Sequence, residues 1–280
     1  MTVPPTRTVE DTCSEGRVKA TSVWHSANEV IVVDSLKLVY VLTRKTGCTT
    51  MMQSLNLKFG ARLDSCKRFN TECAFGYEEE RYWMSKTRCS SKCITDDSEI
   101  NGYFWFGVAR DPLARFYSAV QQAKNAAFNL DLPEGSQGCA NSKKNSDMIP
   151  CPGATLQDAE EALDKITSGD CDFDQHLESQ AAALSTAMSN GEARVPLDYI
   201  LRTEHLADDF AAMIQHIGDV TRSKRIDKKI GDTIELLRSK SRESAHQVDY
   251  RTDELDARVR DVYKQDFACF DYADEDNNLQ

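Results

Sequence analysis

The sequence has no surplus of positive charge. Lys and Arg number 34 against 45 Asp and Glu, giving a formal net charge of −11 and a pI of about 5.0. Nucleic acid is thereby excluded as a global partner, because binding a phosphate polymer needs a net supply of cations. The chain also lacks a long apolar run: nothing approaches the roughly 20 residues of a membrane span, and the first residues, MTVPPTRTVEDTC, hold no apolar core of a secretory signal. No repeat or low-complexity array is present. There is no metal-ligand framework either, since the one tight cysteine pair, Cys89 and Cys93, has no second pair or neighbouring His to complete four ligands.

What is present is ordinary globular material, with 40% hydrophobic and 28% charged residues. A length of 280 residues allows one large domain or two small ones. Ten cysteines, at 13, 48, 66, 73, 89, 93, 139, 151, 171 and 269, exceed cytosolic usage and point to an oxidising lumen. Cys89 and Cys93 read as a disulfide, and Cys139 with Cys151 either close a loop or stay as two thiols. The missing signal pulls the other way. Either an anchor precedes this stretch, or the thiols are reduced and the protein is cytoplasmic.

Residues 1–28, with Pro4 and Pro5, read as a flexible lead-in to a single domain over 29–275. LKLVYVLT at 36–43 is a β-branched and aromatic run of buried-strand length, followed by the tight loop RKTGCTT and the helical pattern MMQSLNLKFG. YFWFGVAR at 103–110 repeats the theme: Asp111 stands in a capping position, Pro112 lies just inside a helix start, and the helix continues through LARFYSAVQQAKNAAF. Residues 129–153 are rich in Pro, Gly and Cys and read as an irregular insertion. Helices follow near 155–168 and 173–188. LDYILRTE at 197–204 is a third strand leading into HLADDFAAMIQHIG, and a long polar helix spans 252–266. Strands alternating with helices predict an α/β domain with a mostly parallel central sheet flanked by helices.

Open α/β sheets bind ligands where strands end and helices begin. At the first such loop, Arg44 and Lys45 precede Thr46, Gly47, Cys48, Thr49 and Thr50. Gly47 lets the backbone wrap closely, the free N–H groups of a helix start converge, and Lys45 adds a cation, which suits phosphate or sulfate. The loop is no nucleotide-triphosphate P-loop, because the Lys precedes the Gly and G-x-x-x-x-G-K-[ST] is absent. A solvated Gly turn is the plainer reading. At the second loop Arg110 ends its strand and Ser118 lies two helical turns on, with Arg115 between them. The planar fork of Arg suits a phosphate monoester, so two anion sites at one sheet edge suggest a ligand with phosphates at two ends.

These residues resemble the sulfotransferases that use 3′-phosphoadenosine 5′-phosphosulfate, in particular the Golgi carbohydrate branch (sulfotransferase family 2). LVYVLTRKTGCTTMMQSL is similar to that family's 5′-phosphosulfate loop, P-K-x-G-C/G-T-[NS], and VARDPLARFYSAV to its 3′-phosphate motif, R-[DN]-P-x-x-R-x-x-S. DFDQHLESQ is similar to its His and downstream Gln segment, DYILRTEHLADDF to I-x-x-x-E-x-L-x-x-D, and VRDVYKQDFACFDY to the terminal Y-x-x-D-F-x-x-F-x-Y. The five blocks lie in the family's order over residues 36–272. The chain departs at Arg44, where the family usually has Pro, which predicts a looser loop carrying an extra cation.

The resemblance implies a P-loop-like sulfotransferase fold and transfer of a sulfuryl group to an acceptor hydroxyl, with carbohydrate as the expected acceptor. Lys45 and the loop amides would stabilise charge on the leaving oxygen, Arg110 and Ser118 would hold the 3′-phosphate, and no metal is required. His176 is the candidate general base, against a plain surface His beside Asp174 and Glu178. Glu204 is expected to order the site. His205 and His216 are expected to be structural, and His246 matches only loosely. RSKRIDKK at 222–229 and KTRCSSK at 86–92 are possible acceptor patches, or merely solvated basic segments. A Golgi or secretory-pathway location follows from the resemblance. The competing reading is a non-catalytic lumenal protein that binds adenosine bisphosphate or glycan through the same fold. A nucleotide kinase of similar fold is disfavoured by the missing Walker pattern.

Overall fold

The computed structural model describes residues 30–60, 62–64, 102–130, 139–140, 149–168, 175–185, 197–218, 223–241 and 249–272. The lead-in, the Cys89–Cys93 pair, the 86–92 patch and His246 lie outside them.

The chain enters through β1 (Val30–Val33) and turns at residues 34–37 into β2 (Leu38–Val41), where Leu36 N donates to Val33 O and Lys37 sits at φ 53°. So short a connection can only make an antiparallel pair, and Val30 faces Val41 through Val33 facing Leu38. Helix α1 (Cys48–Phe59) follows and returns to β3 (Arg62–Asp64), antiparallel to β1 on its other side. Then come β4 (Phe104–Ala109) and helix α2 (Pro112–Leu130), so the helix covers the first two positions of the expected insertion. Within that insertion, β5 (Cys139–Ala140) and β6 (Ile149–Pro150) form a small parallel pair. Helix α3 (Leu156–Ser168), a 3-10 turn (Gln175–Leu177), α4 (Gln180–Ser185) and β7 (Tyr199–Arg202) complete the sheet side of the chain. A second 3-10 turn (Thr203–His205) opens α5 (Leu206–His216), followed by α6 (Lys224–Ser241), α7 (Asp253–Val262) and α8 (Lys264–Cys269).

The sheet is five-stranded in the order β3-β1-β2-β4-β7, and only β2, β4 and β7 are parallel neighbours. Because β1 opposes both β2 and β3, the other four strands all run the same way, so the sheet is mostly parallel, as expected, with β1 as its one antiparallel strand. The two strands not expected are β1 and β3: VIVV ends two residues before the 36–43 run and merges with it, and RLD is too short to carry a strand signal. The expected 252–266 helix is also two helices. At Tyr263 the backbone leaves helical geometry (φ −102°, ψ 21°) while its buried hydroxyl donates to Leu177 O at 2.5 Å, which turns α8 back towards the sheet.

Alternation along the strands sorts side chains into two cores. Leu38, Tyr40, Phe106, Val108 and Leu201 meet Met51, Leu55, Phe210, Met213 and Leu237 beneath α1, α5 and α6. Val39, Val41, Trp105 and Ala109 meet Phe116, Val120, Leu163, Leu184, Val259 and Phe267 beneath α2, α3, α4, α7 and α8. Period-two alternation with both faces apolar is what a sheet covered on both sides requires. No helix among the described residues is long and apolar enough to cross a membrane.

The connections place the site. From β2 the chain crosses by α1 to β3 on one face, and from β4 it crosses by α2 to α4 to β7 on the other, moving outward in opposite directions. Opposite directions on opposite faces are what one handedness of crossover demands. Between the carboxyl ends of β2 and β4 lies a topological switch point, where ligands of open α/β sheets bind.

Candidate active site

Both loops singled out in the sequence meet at that switch point. In the first, Lys45 and Gly47 both adopt left-handed backbone, at φ 65° and 78°. Gly47 takes this conformation without strain, whereas Lys45 costs energy that the surroundings must offset. Two hydrogen bonds from the second loop do so: Arg110 Nη1 donates to Lys45 O at 3.2 Å, and Arg115 Nε donates to Arg44 O at 2.9 Å. A third comes from the end of β7, where Thr203 Oγ1 donates to Thr46 O at 3.0 Å. The rigidity that Pro would give at position 44 is supplied here from outside the loop.

Gly47 is the N-cap of α1, yet no side chain caps the helix and its first turn holds no acid. The first-turn amides of Cys48, Thr49 and Thr50 therefore have neither an intrahelical acceptor nor a resident carboxylate, and the positive end of the helix dipole is left for an external anion. This donor set fits a phosphate or sulfate group. Thr46 contributes differently from expectation, because its hydroxyl is buried and donates to Thr43 O at 2.8 Å, leaving only its backbone for a ligand. Cys48 is a partly exposed free thiol, Thr49 is exposed and Thr50 half-buried.

The second loop is built on the opposite plan. Asp111 Oδ1 accepts from Ala114 N at 2.7 Å and caps α2 with the chain's own carboxylate, as its position predicts. Arg110 is half-buried, and burial holds its guanidinium below its ordinary pKa while Glu204 and Asp111 oppose that shift. Its peptide is gripped by Gln180, whose Oε1 accepts from Arg110 N and whose Nε2 donates to Arg110 O, both at 2.8 Å. Glu204 Oε1 accepts from Asp111 N and its Oε2 from the Tyr272 hydroxyl, each at 2.9 Å, so the carboxylate orders this loop. Ser118 lies half-exposed one turn beyond Ala114 on α2.

Arg115, which the sequence places beside Arg110 at the sheet edge, lies inside the protein. Only 2% of it is exposed, and its charge faces the buried carboxyls of Glu178 and Asp266. Asp266 accepts from Ser179 Oγ at 2.5 Å and from the N–H groups of Gln180 and Ala181 at 2.8 Å each. Burial pushes the Asp266 carboxyl up, while Arg115 and these three donors pull it down. Glu178 has fewer compensations: Oε1 has no hydrogen-bond partner, and burial drives its carboxyl up to about 8. His176 stands two residues before Glu178, half-buried in the turn packed against α2.

Sequence reasoning missed Gln180, Asp266 and Thr203 as site-building residues. Gln180 and Asp266 both lie within quoted motif blocks, DFDQHLESQ and VRDVYKQDFACFDY, but only the fold reveals that the two blocks meet. Of the histidines read as structural, His216 packs its ring against Phe104 and Tyr199, with centroids 6.0 and 6.2 Å apart, while His205 is exposed at the N-cap position of α5 and makes no side-chain capping bond. The 222–229 patch overlaps α6, which packs on α1 and α5. Cys151 and Cys269 are each disulfide-bonded.

Over residues 28–273 the chain matches the Sulfotransferase family. It belongs to that family. No curated protein and no solved structure matches it. The match covers every element of the site just described, and sulfuryl transfer to an acceptor is the chemistry this sulfotransferase performs. Among its described residues no group of three or more His, Cys, Asp or Glu is placed to hold a metal ion.

Proposed function

We propose that the protein transfers a sulfuryl group from 3′-phosphoadenosine 5′-phosphosulfate to a hydroxyl of a carbohydrate. The observation that carries this reading is the uncapped, acid-free N-terminus of α1 beside Arg110 at the switch point, which supplies two anion sites tied to each other by the Arg110 to Lys45 hydrogen bond. A donor with a phosphosulfate at one end and a phosphate at the other supplies a sulfur centre whose leaving group is an anionic phosphate. Lys45 and the amides of Gly47, Cys48, Thr49 and Thr50 would bind that end and stabilise charge as it develops on the leaving oxygen. Arg110 and Ser118 would hold the 3′-phosphate, with Arg44 adding a cation at the loop's entrance. His176 would take the acceptor proton, a step that suits imidazole near neutral pH.

Disulfide-bonded Cys151 and Cys269 support an oxidising compartment, which agrees with the Golgi location of the family's carbohydrate branch. The carbohydrate acceptor rests on the motif resemblance. Transfer of 35S from labelled donor to a glycan panel tests the whole reading: wild type labels an acceptor, and Lys45→Ala and Arg110→Ala lose most of that label. Equal labelling by all three proteins would overturn it. Tight binding of adenosine 3′,5′-bisphosphate without turnover on any acceptor would favour the non-catalytic alternative.

A further inference from the structure

We propose that Gln180 is a positioning residue for the 3′-phosphate end of the donor site, a role that rests on the donor reading above. Arg110 follows the last residue of β4, where the pairing of Ala109 with Arg202 ends the ladder. Its peptide is therefore no longer fixed by strand neighbours, yet its guanidinium has to stand between Lys45 and the ligand. The Gln180 carboxamide supplies the missing constraint by accepting from Arg110 N and donating to Arg110 O, both at 2.8 Å.

Only a group with a donor and an acceptor side by side can close both bonds. A carboxylate would set a lone pair against Arg110 O, and an apolar side chain would leave two buried polar groups unpaired.

Gln180 is itself held in place. It is fully buried, and its N–H donates to Asp266 Oδ2. Its helix α4 is seated by Leu184, which fills the space over Gly107: a Cβ at Gly107 would stand 2.5 Å from Leu184 Cδ2. A side chain at this strand position would oblige the Leu184 methyl to shift. The same Asp266 faces Arg115, which grips Arg44 O, so one buried carboxylate sets the backbone of both anion loops.

The test is calorimetric titration of the full chain with adenosine 3′,5′-bisphosphate and, separately, adenosine 5′-monophosphate, for wild type, Gln180→Glu and Gln180→Met. At about pH 8 the Gln180→Glu protein is expected to bind the bisphosphate about tenfold or more weakly, and the monophosphate less than about threefold more weakly. At about pH 5.5 the introduced carboxyl, buried beside Arg110 O and Asp266 and opposed by the Arg110 and Arg115 charges, takes up a proton and donates as the amide did. Its bisphosphate affinity then returns to within about threefold of wild type at the same pH. Gln180→Met stays weak at both pH values, and it carries the ligand comparison alone should Gln180→Glu fail to fold. A general structural defect would weaken both ligands alike and show no recovery in acid, and that result, or unchanged bisphosphate affinity in a folded variant, overturns the role. Wild type that binds no bisphosphate overturns the donor reading first, and Gln180's role with it.

Discussion

The two strand-to-helix loops share a sheet edge and a chain path, yet they treat their helix ends in opposite ways. After β2 the chain puts glycine at the N-cap of α1, keeps acids out of the first turn and holds the loop from outside through Arg110, Arg115 and Thr203. After β4 it caps α2 with Asp111 and buries the helix's own Arg115. The first helix end has no cap and no acid of its own; the second is closed by the chain's own carboxylate. A similar sequence pattern, strand, cation, helix, thus yields an open helix end in one place and a capped one in the other, where only the Arg110 and Ser118 side chains remain to meet a ligand, and the difference lies in which residue fills the N-cap.

Removing the scaffold should have the largest effect. Arg115→Met would leave the buried Asp266 carboxyl without its cation and Glu178 with Arg44 alone, and loss of one partner of a buried charge cluster costs about 3–5 kcal/mol. Urea unfolding should show that loss, and an unchanged midpoint would mean that Arg115 is not the internal support described. Turning the open cap into a closed one comes next. Gly47→Asp supplies α1 with its own carboxylate and should weaken adenosine bisphosphate binding by about 100-fold, at a cost of about 1–2 kcal/mol of stability for a side chain in left-handed backbone. Retained affinity would show that the amides of α1 are not the anion site.

Gly107→Ala acts on the packing that brings Gln180 to Arg110. The added methyl meets Leu184, which must shift, and overpacking of this kind costs about 1–3 kcal/mol in thermal or chemical melts.

A further effect depends on pH. Burial raises the Glu178 carboxyl from its ordinary 4.5 to about 8, so between those values the folded protein binds more protons than the unfolded chain. Stability from this group therefore falls as pH rises from about 4.5 to about 8, and the full penalty applies above 8. Glu178→Gln is neutral at every pH. It should leave melting unchanged near pH 5 and raise stability near pH 9. A gain of equal size at both pH values would rule out titration of Glu178 as its origin.

The parts legible in the sequence were those with a local signature. Buried strands are marked by β-branched and aromatic runs, Asp111-Pro112 marks the start of α2, and the cation, glycine and threonines of Lys45 to Thr50 mark a strand-to-helix loop because they are nearly consecutive in the chain. Hairpin strand β1 was lost because VIVV runs into a four-residue turn without a flanking helix to set it apart. The interior role of Arg115 was invisible for a different reason: its partners Glu178 and Asp266 lie 63 and 151 residues away in sequence, and no local pattern announces that an arginine between two helical turns will face inward. The Gln180 clamp depends on Gly107 admitting Leu184, a steric relation between two segments that sequence periodicity does not encode.

The central claim is that the open end of α1 and Arg110 together form one site with two anion subsites. It is tested most directly by comparing adenosine 3′,5′-bisphosphate with adenosine 5′-monophosphate by calorimetry, in wild type and in Arg110→Ala. The account predicts that wild type prefers the bisphosphate by about tenfold or more, the worth of one charge-assisted phosphate contact, and that Arg110→Ala erases the preference while still binding the monophosphate. Equal affinity of wild type for the two nucleotides, or a preference that survives in Arg110→Ala, would contradict it.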